Sequence, residues 1–432
     1  MDMLYGTNTI DPGSSDASYY STDAELYVYF TAGTQQELND FFWYINFSLI
    51  HVPQITIKLT NNLPVSLLTL SDFQPNTIYN ILVENGTLDF FPAFNSLNRF
   101  FPYVDVFQGT TGLNWDNYLG SLSTIIAQSG SPFDGLNSTQ LKPMSLGYPL
   151  TIFRKSNDTV NFENWMLFRI REIHTMNCPD FNNVFKISFP YGMAIDYSAR
   201  STGNCILTFF CFAGNFYGPL DLCKLSFSDI KYTGDKNLTG TRGLSEGAKI
   251  FSFDSTSSSL WNGVSVYSNP FSFIIPPNGT IHTSASASSK INSQYYSAPS
   301  NGILMSPQYP YKIDSKLMKN STLINMKIFH NTQFEFDFVD IDLSFNSSLM
   351  IYNSTYLLLN LNGTQNYGGK LQINSTNVTL VYTPASNATE KGFLINYSLR
   401  GISIHTTPSS SSLIKPINIL TLLIVGMIIM FK

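Results

Sequence analysis

The sequence predicts a mainly β protein built from tandem β-sandwich domains. Short apolar runs with a period of two residues recur along the chain, whereas amphipathic helical stretches are hard to find. Gly, Pro and Asn separate these runs, and several strands at such close spacing are typical of a β-sandwich. The clearest alternation is that of Phe334, Phe336 and Phe338 with Glu335 and Asp337. The same alternation recurs in Leu371 and Ile373, in Val378, Leu380 and Tyr382, and in Phe393, Ile395, Tyr397 and Leu399.

Composition changes along the 432 residues predict several domains. We expect an irregular N-terminus at 1–24, a β-rich domain at 25–172, a cysteine-containing domain at 177–282, a Ser-rich linker at 283–300, a C-terminal domain at 301–400, a linker with an anchor site at 401–416 and a hydrophobic tail at 417–431. Within the first domain, Gln54 to Leu59 and Tyr79 to Glu84 are predicted strands, and Asn117 to Gln128 is a possible helix.

The charge content argues against a nucleic-acid partner. Only 12% of the residues are Asp, Glu, Lys or Arg, the formal net charge is -5, and no basic run is present. Nucleic-acid binding needs clustered Lys and Arg that replace counterions, so this class of partner is not expected. Ser, Thr and Asn fill the polar positions instead, which is typical of a secreted or glycan-coated protein.

Asn-x-Ser/Thr sequons support synthesis in the secretory pathway. Between Asn320 and Asn396, eight of the twelve asparagines head a sequon, which is well above the frequency expected by chance. The predicted glycosylation sites are Asn46, Asn85, Asn137, Asn157, Asn237, Asn278, Asn320, Asn346, Asn353, Asn362, Asn374, Asn377, Asn387 and Asn396.

The four cysteines lie within one stretch of 46 residues, at Cys178, Cys205, Cys211 and Cys223. In an oxidising compartment they should form two disulfides, and four cysteines allow three pairings. No Cys-x-x-Cys is present and no metal site is predicted.

The two ends of the chain bear on its compartment. The N-terminus shows no basic start and no apolar run, so a signal peptide is expected upstream of Met1. At the other end, four serines from Ser409 precede an apolar run from Ile417 to Phe431, which is short for a bilayer. This pattern is typical of a glycosylphosphatidylinositol (GPI) attachment signal, with Ser409 as the anchor residue. The alternative is a transmembrane helix over 413–431.

No catalytic residue and no cofactor are predicted. The histidines are His51, His174, His282, His330 and His405, and none lies in a metalloprotease motif. Asp337, Asp340 and Asp342 have the spacing of one strand and its turn, so we interpret them as solvent-facing rather than as paired catalytic carboxylates. The aromatic clusters at 100–103 and at Tyr295 and Tyr296 are candidate binding residues, although a core role is the simpler interpretation.

The C-terminal segment resembles a CUB domain, an extracellular β-sandwich module. Residues 302–310 are similar to its opening pattern Gly-x-Ile-x-Ser-Pro-x-Tyr-Pro, 334–343 and 348–352 resemble two of its strands, and 392–397 match its closing Gly-Phe-x-x-x-Tyr. The spacing of 27 between Cys178 and Cys205 is similar to that of the first CUB cysteine pair. The resemblance implies a jelly-roll fold and pairing of Cys178 with Cys205 and of Cys211 with Cys223.

Two departures from the family pattern limit what the resemblance implies. No cysteine follows Cys223, and Ser347, Ser348 and Thr383 stand where many CUB domains have the acidic residues that bind calcium. Calcium binding is therefore not expected.

Divergent, cysteine-poor CUB-like units are typical of secreted or GPI-tethered nematode proteins, some of them induced by pathogens, and this chain resembles those.

The function that follows is non-enzymatic recognition at the cell surface. The expected partner is an extracellular protein or glycan, with a possible place in innate immune defence, and the expected membrane contact is the C-terminal anchor. A structural glycoprotein of a cuticle or matrix is the second interpretation. An ectoenzyme without a known motif is the third.

Overall fold

The computed structural model of the chain describes residues 52–401, with gaps at 70–73, 75–76, 94–103, 110–112, 114, 123, 126–137, 145–148, 155–164, 180–182, 213–222, 245–248, 268–269, 289–293, 297, 307–308, 310–321, 364–367 and 386–389. Strands β1 to β25, numbered along the chain, form five sheets. Helix α1 (Arg171–Asn177) and short 3-10 helices at Trp115–Asn117 and Ser258–Trp261 accompany them. The mainly β, sandwich-like fold class predicted from the sequence is confirmed.

The N-terminal unit is a sandwich of two sheets. One has the order β1-β3-β8-β5-β6, with β1 (Gln54–Leu59), β3 (Thr77–Val83), β8 (Leu150–Arg154), β5 (Val104–Gln108) and β6 (Tyr118–Ser121). The other has the order β2-β9-β4, with β2 (Val65–Thr69), β9 (Trp165–Ile170) and β4 (Leu88–Ala93). Their inner faces share one core, in which Phe90 and Phe168 stack at 5.1 Å between ring centroids.

The middle unit is a second sandwich. Its larger sheet has the order β15-β14-β17-β12-β10-β7, with β15 (Lys249–Phe253), β14 (Leu238–Arg242), β17 (Phe271–Ile275), β12 (Cys205–Phe212), β10 (Val184–Ser188) and β7 (Thr139–Gln140). Its smaller sheet has the order β11-β18-β13-β16, with β11 (Gly192–Ser198), β18 (Thr280–Ser288), β13 (Lys224–Thr233) and β16 (Val264–Val266). The core between them is rich in phenylalanine, with Phe209, Phe227, Phe271 and Phe273 in mutual ring contact.

The C-terminal unit is one sheet that encloses its own core. Its order is β20-β25-β21-β24-β22-β23, with β20 (Ser300–Met305), β25 (Gly392–Gly401), β21 (Thr322–Asp342), β24 (Lys370–Thr383), β22 (Ser348–Asn353) and β23 (Tyr356–Asn362). Strand β19 (Gln294–Tyr296) pairs with the first half of β21. A register shift between Lys327 and Thr332 divides β21, and both halves send side chains into the same core. The predicted alternation is confirmed, since Phe334, Phe336 and Phe338 are buried.

The N-terminal and middle units share a hydrophobic cluster. Phe91 and Leu167 from the first unit pack with Phe210 and Phe212 of β12. Strand β7 belongs to the predicted domain 25–172, yet it pairs with β10 of the middle unit. The boundary predicted between 172 and 177 falls inside α1, which leads directly to Cys178. The two units are therefore structurally continuous.

A buried ion-pair group lies at the same junction. Arg169 and Arg171 both contact the carboxylate of Asp89, at 3.2 Å and 2.6 Å. The guanidinium of Arg169 also donates to Asn183 of the middle unit and lies 4.5 Å from the ring centroid of Phe91. Burial lowers the pKa of Arg169 to about 10 despite its carboxylate partner. Such a pair fixes geometry, because removal of either charge leaves the other buried and uncompensated.

The middle and C-terminal units are also in contact. Ile303, Met305, Tyr309 and Leu394 of the C-terminal unit are part of the core of the middle unit. Arg242 of β14 donates a hydrogen bond to the backbone carbonyl of Tyr309. The described units therefore pack against their neighbours along the chain.

Two segments have a structure other than the one predicted from the sequence. Residues 283–288 complete β18 instead of starting a linker, and 294–296 and 300 lie in β19 and β20. Thr283, Ala285 and Ala287 are buried, and Ala285 lies opposite Phe227 in the sheet. Small inward residues fit beside large phenylalanines, so the strand has little hydrophobic contrast in sequence. The possible helix at 117–128 is wrong over 118–121, which form β6, whereas Leu122, Thr124 and Ile125 are helical.

Candidate functional site

The two disulfides lie in the middle unit. Cys178 pairs with Cys205 across a separation of 27 residues, and Cys211 pairs with Cys223 across 12. This is the pairing that the family resemblance implied, and it is confirmed. The first bond joins the end of α1 to the start of β12, and the second joins β12 to the start of β13. All four cysteines belong to the buried core.

The loop end of the C-terminal unit holds a buried carboxylate. Glu390 is 2% exposed and accepts hydrogen bonds from the backbone nitrogen of Ser344 at 2.7 Å, from the hydroxyl of Ser347 and from the phenol of Tyr382 at 2.6 Å. Ser347 also accepts from the nitrogen of Ala385 at 2.8 Å. Burial and the bond to Glu390 raise the pKa of Tyr382 well above its usual value. This loop-end network ties two loops to β24.

The loop-end network lies where the resemblance places a calcium cluster. Ser347 donates to Glu390, and the other two carboxylates nearby are bonded as well. Asp340 accepts from the phenol of Tyr309 at 2.7 Å, and Asp342 accepts from the backbone nitrogen of Lys391 at 2.9 Å. Within the residues that the structure describes, no group of three or more His, Cys, Asp or Glu has a metal-binding arrangement. The local carboxylates act as acceptors for protein donors.

The titratable residues considered for catalysis are dispersed. His174 is buried beside Cys178, with Nδ1 3.7 Å from Sγ. His282 lies on the outer face of β18, where Nδ1 is 4.0 Å from a carboxylate oxygen of Asp196. His330 belongs to β21, and His51 and His405 lie outside the described residues. Asp337 is half-buried on β21 opposite Lys370. Of those whose side chains the structure describes, His174, His282 and Asp337 lie on three different elements, α1, β18 and β21.

The predicted glycosylation sites fall into three groups. Asn85, Asn237, Asn278, Asn346, Asn362 and Asn374 are exposed, whereas Asn353, Asn377 and Asn396 are half-buried. Asn46, Asn137, Asn157, Asn320 and Asn387 lie outside the described residues. The side-chain oxygens of Asn377 and Asn396 are buried, while that of Asn353 accepts a hydrogen bond from the hydroxyl of Ser375 at 2.7 Å.

The two predicted aromatic binding clusters stay predictions. Residues 100–103 lie outside the described part of the chain, and Tyr295 and Tyr296 belong to β19, which pairs with β21. The anchor residue Ser409 and the apolar tail at 417–431 also lie outside it. Among the described residues, no helix is both long enough and apolar enough to cross a membrane.

A surface that the sequence interpretation missed lies on the β22–β23 hairpin. Tyr356, Leu357 and Leu358 are 75%, 50% and 43% exposed on β23, and Phe345 in the loop before β22 is 86% exposed. We name these four residues the apolar edge. Strand β23 pairs with β22 on one side, and no described strand pairs with its other side. Within the part of the chain that the structure describes, the backbone donors and acceptors on that side of β23 have no strand partner and could pair with a further strand.

Phe345 lies close to the far end of β23. The backbone nitrogen of Gly363 approaches the carbonyl of Ser347 at 3.5 Å, and a Cβ placed on Gly363 would lie 3.6 Å from the Cα of Phe345. Gly363 has a φ of 62°, so this residue ends the strand in a conformation that favours glycine. The apolar edge therefore extends from the hairpin turn to the loop that carries Phe345.

The sequence does carry one signal for the apolar edge. From Leu343 to Gly369 the chain contains no Asp, Glu, Lys, Arg or His. Natural edge strands usually carry charges or proline that prevent pairing with other chains, and β23 has neither. The uncharged stretch is visible in the sequence, but the edge position of β23 follows only from the sheet order.

The comparisons with known proteins add little. No protein-family model and no curated protein matches the chain. Similar solved structures include the CUB1-EGF-CUB2 domain of human MASP-1/3, at 9% identity and a TM-score of 0.21, over 48% of this chain and 99% of that one. The same domains of rat MASP-1 align at 7% identity and a TM-score of 0.22, over 49% of this chain and 97% of that one. Similarity at this level supports no conclusion about function.

Proposed function

We propose that this protein is a non-enzymatic, extracellular binding protein with CUB-like modules, and that its C-terminal unit binds another polypeptide at the apolar edge. The observation that carries the proposal is the open side of β23 with Tyr356, Leu357 and Leu358 exposed on it. An extended segment can add to such a strand through main-chain hydrogen bonds, while apolar side chains on both sides provide affinity. Exposed tyrosine and leucine on one strand suit this mode of binding.

The extracellular part of the proposal rests on the disulfides and the sequons. Two buried disulfides are typical of an oxidising compartment. The sequon density after residue 320 and the exposure of six sequon asparagines are consistent with glycan attachment. The resemblance of residues 302–397 to a CUB domain supports the same location.

Site-specific crosslinking tests the binding site. A photoreactive phenylalanine analogue is placed at position 356 of the full-length glycoprotein, with the same analogue at Tyr191, which is 41% exposed on the middle unit, as the matched control. After illumination on the cell surface we expect a covalent polypeptide adduct from position 356 and none from position 191. Leu358→Lys should abolish the adduct, because a buried lysine would disfavour strand addition. Equal adducts from both positions, or an adduct that survives Leu358→Lys, would refute the proposal.

A coating function in a cuticle or matrix is the second candidate. The specific observation that favours it is the high density of sequons between Asn320 and Asn396. Glycans there would cover much of the C-terminal unit. Retention of full activity in a matrix-assembly assay by Leu358→Lys, with loss of activity on enzymatic deglycosylation, would favour coating over binding at β23.

Membrane attachment and a defence role belong to the same proposal. We expect the mature protein to end near Ser409 on a GPI anchor, with the apolar tail at 417–431 removed. Phosphatidylinositol-specific phospholipase C should then release it from intact cells. Retention on the membrane, with recovery of a peptide containing 427–432, would establish a transmembrane helix instead. Induction of the transcript by a pathogen would support innate defence.

A further inference from the structure

We propose that N-glycans on Asn353 and Asn362 stand at the two ends of the apolar edge and prevent two copies of the chain from pairing through β23. This inference rests on the proposed function in one respect: both assume that β23 is the unpaired edge strand of its sheet. It assigns a partner class to that edge, namely a single extended polypeptide segment and not a second copy of this protein.

The edge strand carries no charged residue and no proline. No Asp, Glu, Lys, Arg or His stands between Leu343 and Gly369, and the sequence of β23 is YLLLNLN. Two copies could therefore align their β23 strands without any like-charge repulsion. Leu361 is buried and Leu359 is half-buried on one face of the strand, and a register shift beyond Leu359 places Leu357 opposite Tyr352 of β22. An antiparallel copy would bring Leu359 of one chain against Leu361 of the other and extend the core across the interface.

Asn353 marks one end of the strand. It pairs with Tyr356 across the hairpin, and the intervening Ser354 has a φ of 53°, as in two-residue hairpin loops. The side-chain oxygen of Asn353 is held by Ser375, which leaves the nitrogen as the atom for glycan attachment. The sequon is completed by Thr355, which is exposed in the turn. A glycan here would project from the hairpin corner.

Asn362 marks the other end. It is exposed, it is the last residue of β23, and it pairs with Ser348 of β22. Six steps along a strand separate it from Tyr356, which corresponds to about 20 Å. Asn346, a third sequon asparagine, is exposed next to Phe345 near this end. Sequons thus lie at both ends of the apolar edge, while the open side of Tyr356 to Leu358 lies between them.

This placement discriminates between partners. In an antiparallel pair of β23 strands, the Asn362 end of one copy meets the Asn353 end of the other. Two bulky, hydrated glycans would then occupy the same space at each end of the interface. A single extended segment without glycans can lie between them. The glycans would therefore act against self-association, in the way that charged residues do on other edge strands.

Light scattering of the purified mature glycoprotein tests the proposal. The wild type is expected to be monomeric, and Asn353→Gln with Asn362→Gln should shift it to about twice the monomer mass. The matched control, Asn237→Gln with Asn278→Gln, removes two exposed sequons from the middle unit and should remain monomeric. Adding Leu358→Lys to the first pair should restore the monomer, because the added charge opposes pairing of the strands.

A second pair of variants separates loss of the glycan from loss of the asparagine. Thr355→Ala with Thr364→Ala destroys the same two sequons while keeping both asparagines, and it should give the same dimer. Hydrogen exchange of β21 and β24 peptides checks that each variant is folded. The proposal is overturned if the folded double variants stay monomeric, if the control pair dimerises equally, or if peptide mapping finds both asparagines unmodified. None of these readouts needs the polypeptide partner, so they are independent of the crosslinking result.

Discussion

The middle and C-terminal units hold their loops by different chemistry. In the middle unit, the Cys211–Cys223 disulfide joins a strand of the larger sheet to a strand of the smaller one. In the C-terminal unit, where no cysteine is present, Glu390 connects two loops and β24 through three hydrogen-bond donors. A disulfide needs no hydrogen-bond partners. A buried carboxylate stabilises the loops only while each of its hydrogen-bond donors stays in place.

The two units also share one motif in different surroundings. Asp254 of the middle unit accepts hydrogen bonds from the hydroxyls of Thr256 and Ser257 at 2.8 and 2.7 Å, much as Glu390 accepts from serine and tyrosine hydroxyls. Asp254 is exposed, while Glu390 is buried. The donors are similar, so burial decides how strongly each carboxylate affects stability.

Removal of the longer disulfide should have the largest effect. Cys178→Ala with Cys205→Ala releases a loop of 27 residues and should destabilise the middle unit by about 3 kcal/mol. Hydrogen exchange should then rise in peptides from β12 and stay unchanged in peptides from β24. Cys211→Ala with Cys223→Ala releases a loop of only 12 residues, so it serves as the control with a smaller loss of stability. An equal rise of exchange in both units would contradict this division of stability.

Glu390→Ala should have the next largest effect. It leaves the nitrogen of Ser344 and the phenol of Tyr382 buried without their acceptor, which costs about 2 kcal/mol. Exchange in β22 and β24 peptides reports the loss. Glu335→Ala is the matched control, because that carboxylate pairs with exposed Lys370 at 2.8 Å and its removal should matter little. Equal effects of the two substitutions would show that the loop-end network adds no stability.

Asp254 should give a smaller, pH-dependent effect. Hydrogen bonds from Ser257 and Thr256 lower the pKa of Asp254 to about 2 from its usual 3.8. A lowered folded-state pKa stabilises the fold above the usual value, and this stabilisation is lost as the pH falls from about 4 to 2. Carboxyl NMR titration should give the lowered pKa, and Asp254→Asn should remove the pH dependence in this window. Titration near the usual value would contradict the assignment.

Calcium should have no effect on the C-terminal unit. Ser347, Ser348 and Thr383 supply no carboxylate, and Glu390 is already bonded to protein donors. Melting curves in EDTA and in millimolar calcium should coincide. A rise of several degrees with calcium would mean that the loop-end network rearranges to bind the ion.

The sequence predicted strands well where the inward residues are large. The alternation around Phe334 and around Phe393 is found as buried strand residues, and β1 has the predicted bounds of Gln54–Leu59. The sequence prediction failed for β18, where Ala285 and Ala287 face the core beside Phe227. The resulting Ser- and Ala-rich pattern is typical of a linker. Small inward-facing residues produce little apolar and polar alternation in the sequence. Their burial is therefore explained only by the large side chains on the neighbouring strand.

The candidate site was less predictable than the strands. The uncharged stretch after Leu343 is visible in the sequence, but whether Tyr356 and Leu358 lie on a central or an edge strand depends on long-range pairing. Glu390 likewise gives no local signal, because its donors come from positions 344, 347 and 382. Residue types identify candidates for a site, whereas non-local contacts decide which of them become buried or exposed.

The cluster shared by the N-terminal and middle units has a consequence for synthesis of the chain. Phe91 and Leu167 leave the ribosome well before Phe210 and Phe212, which complete their burial. β7 must also wait for β10, because the two strands are separated by more than forty residues. The nascent N-terminal unit therefore exposes an apolar surface until β12 has emerged, and protection by chaperones would be needed most during this interval.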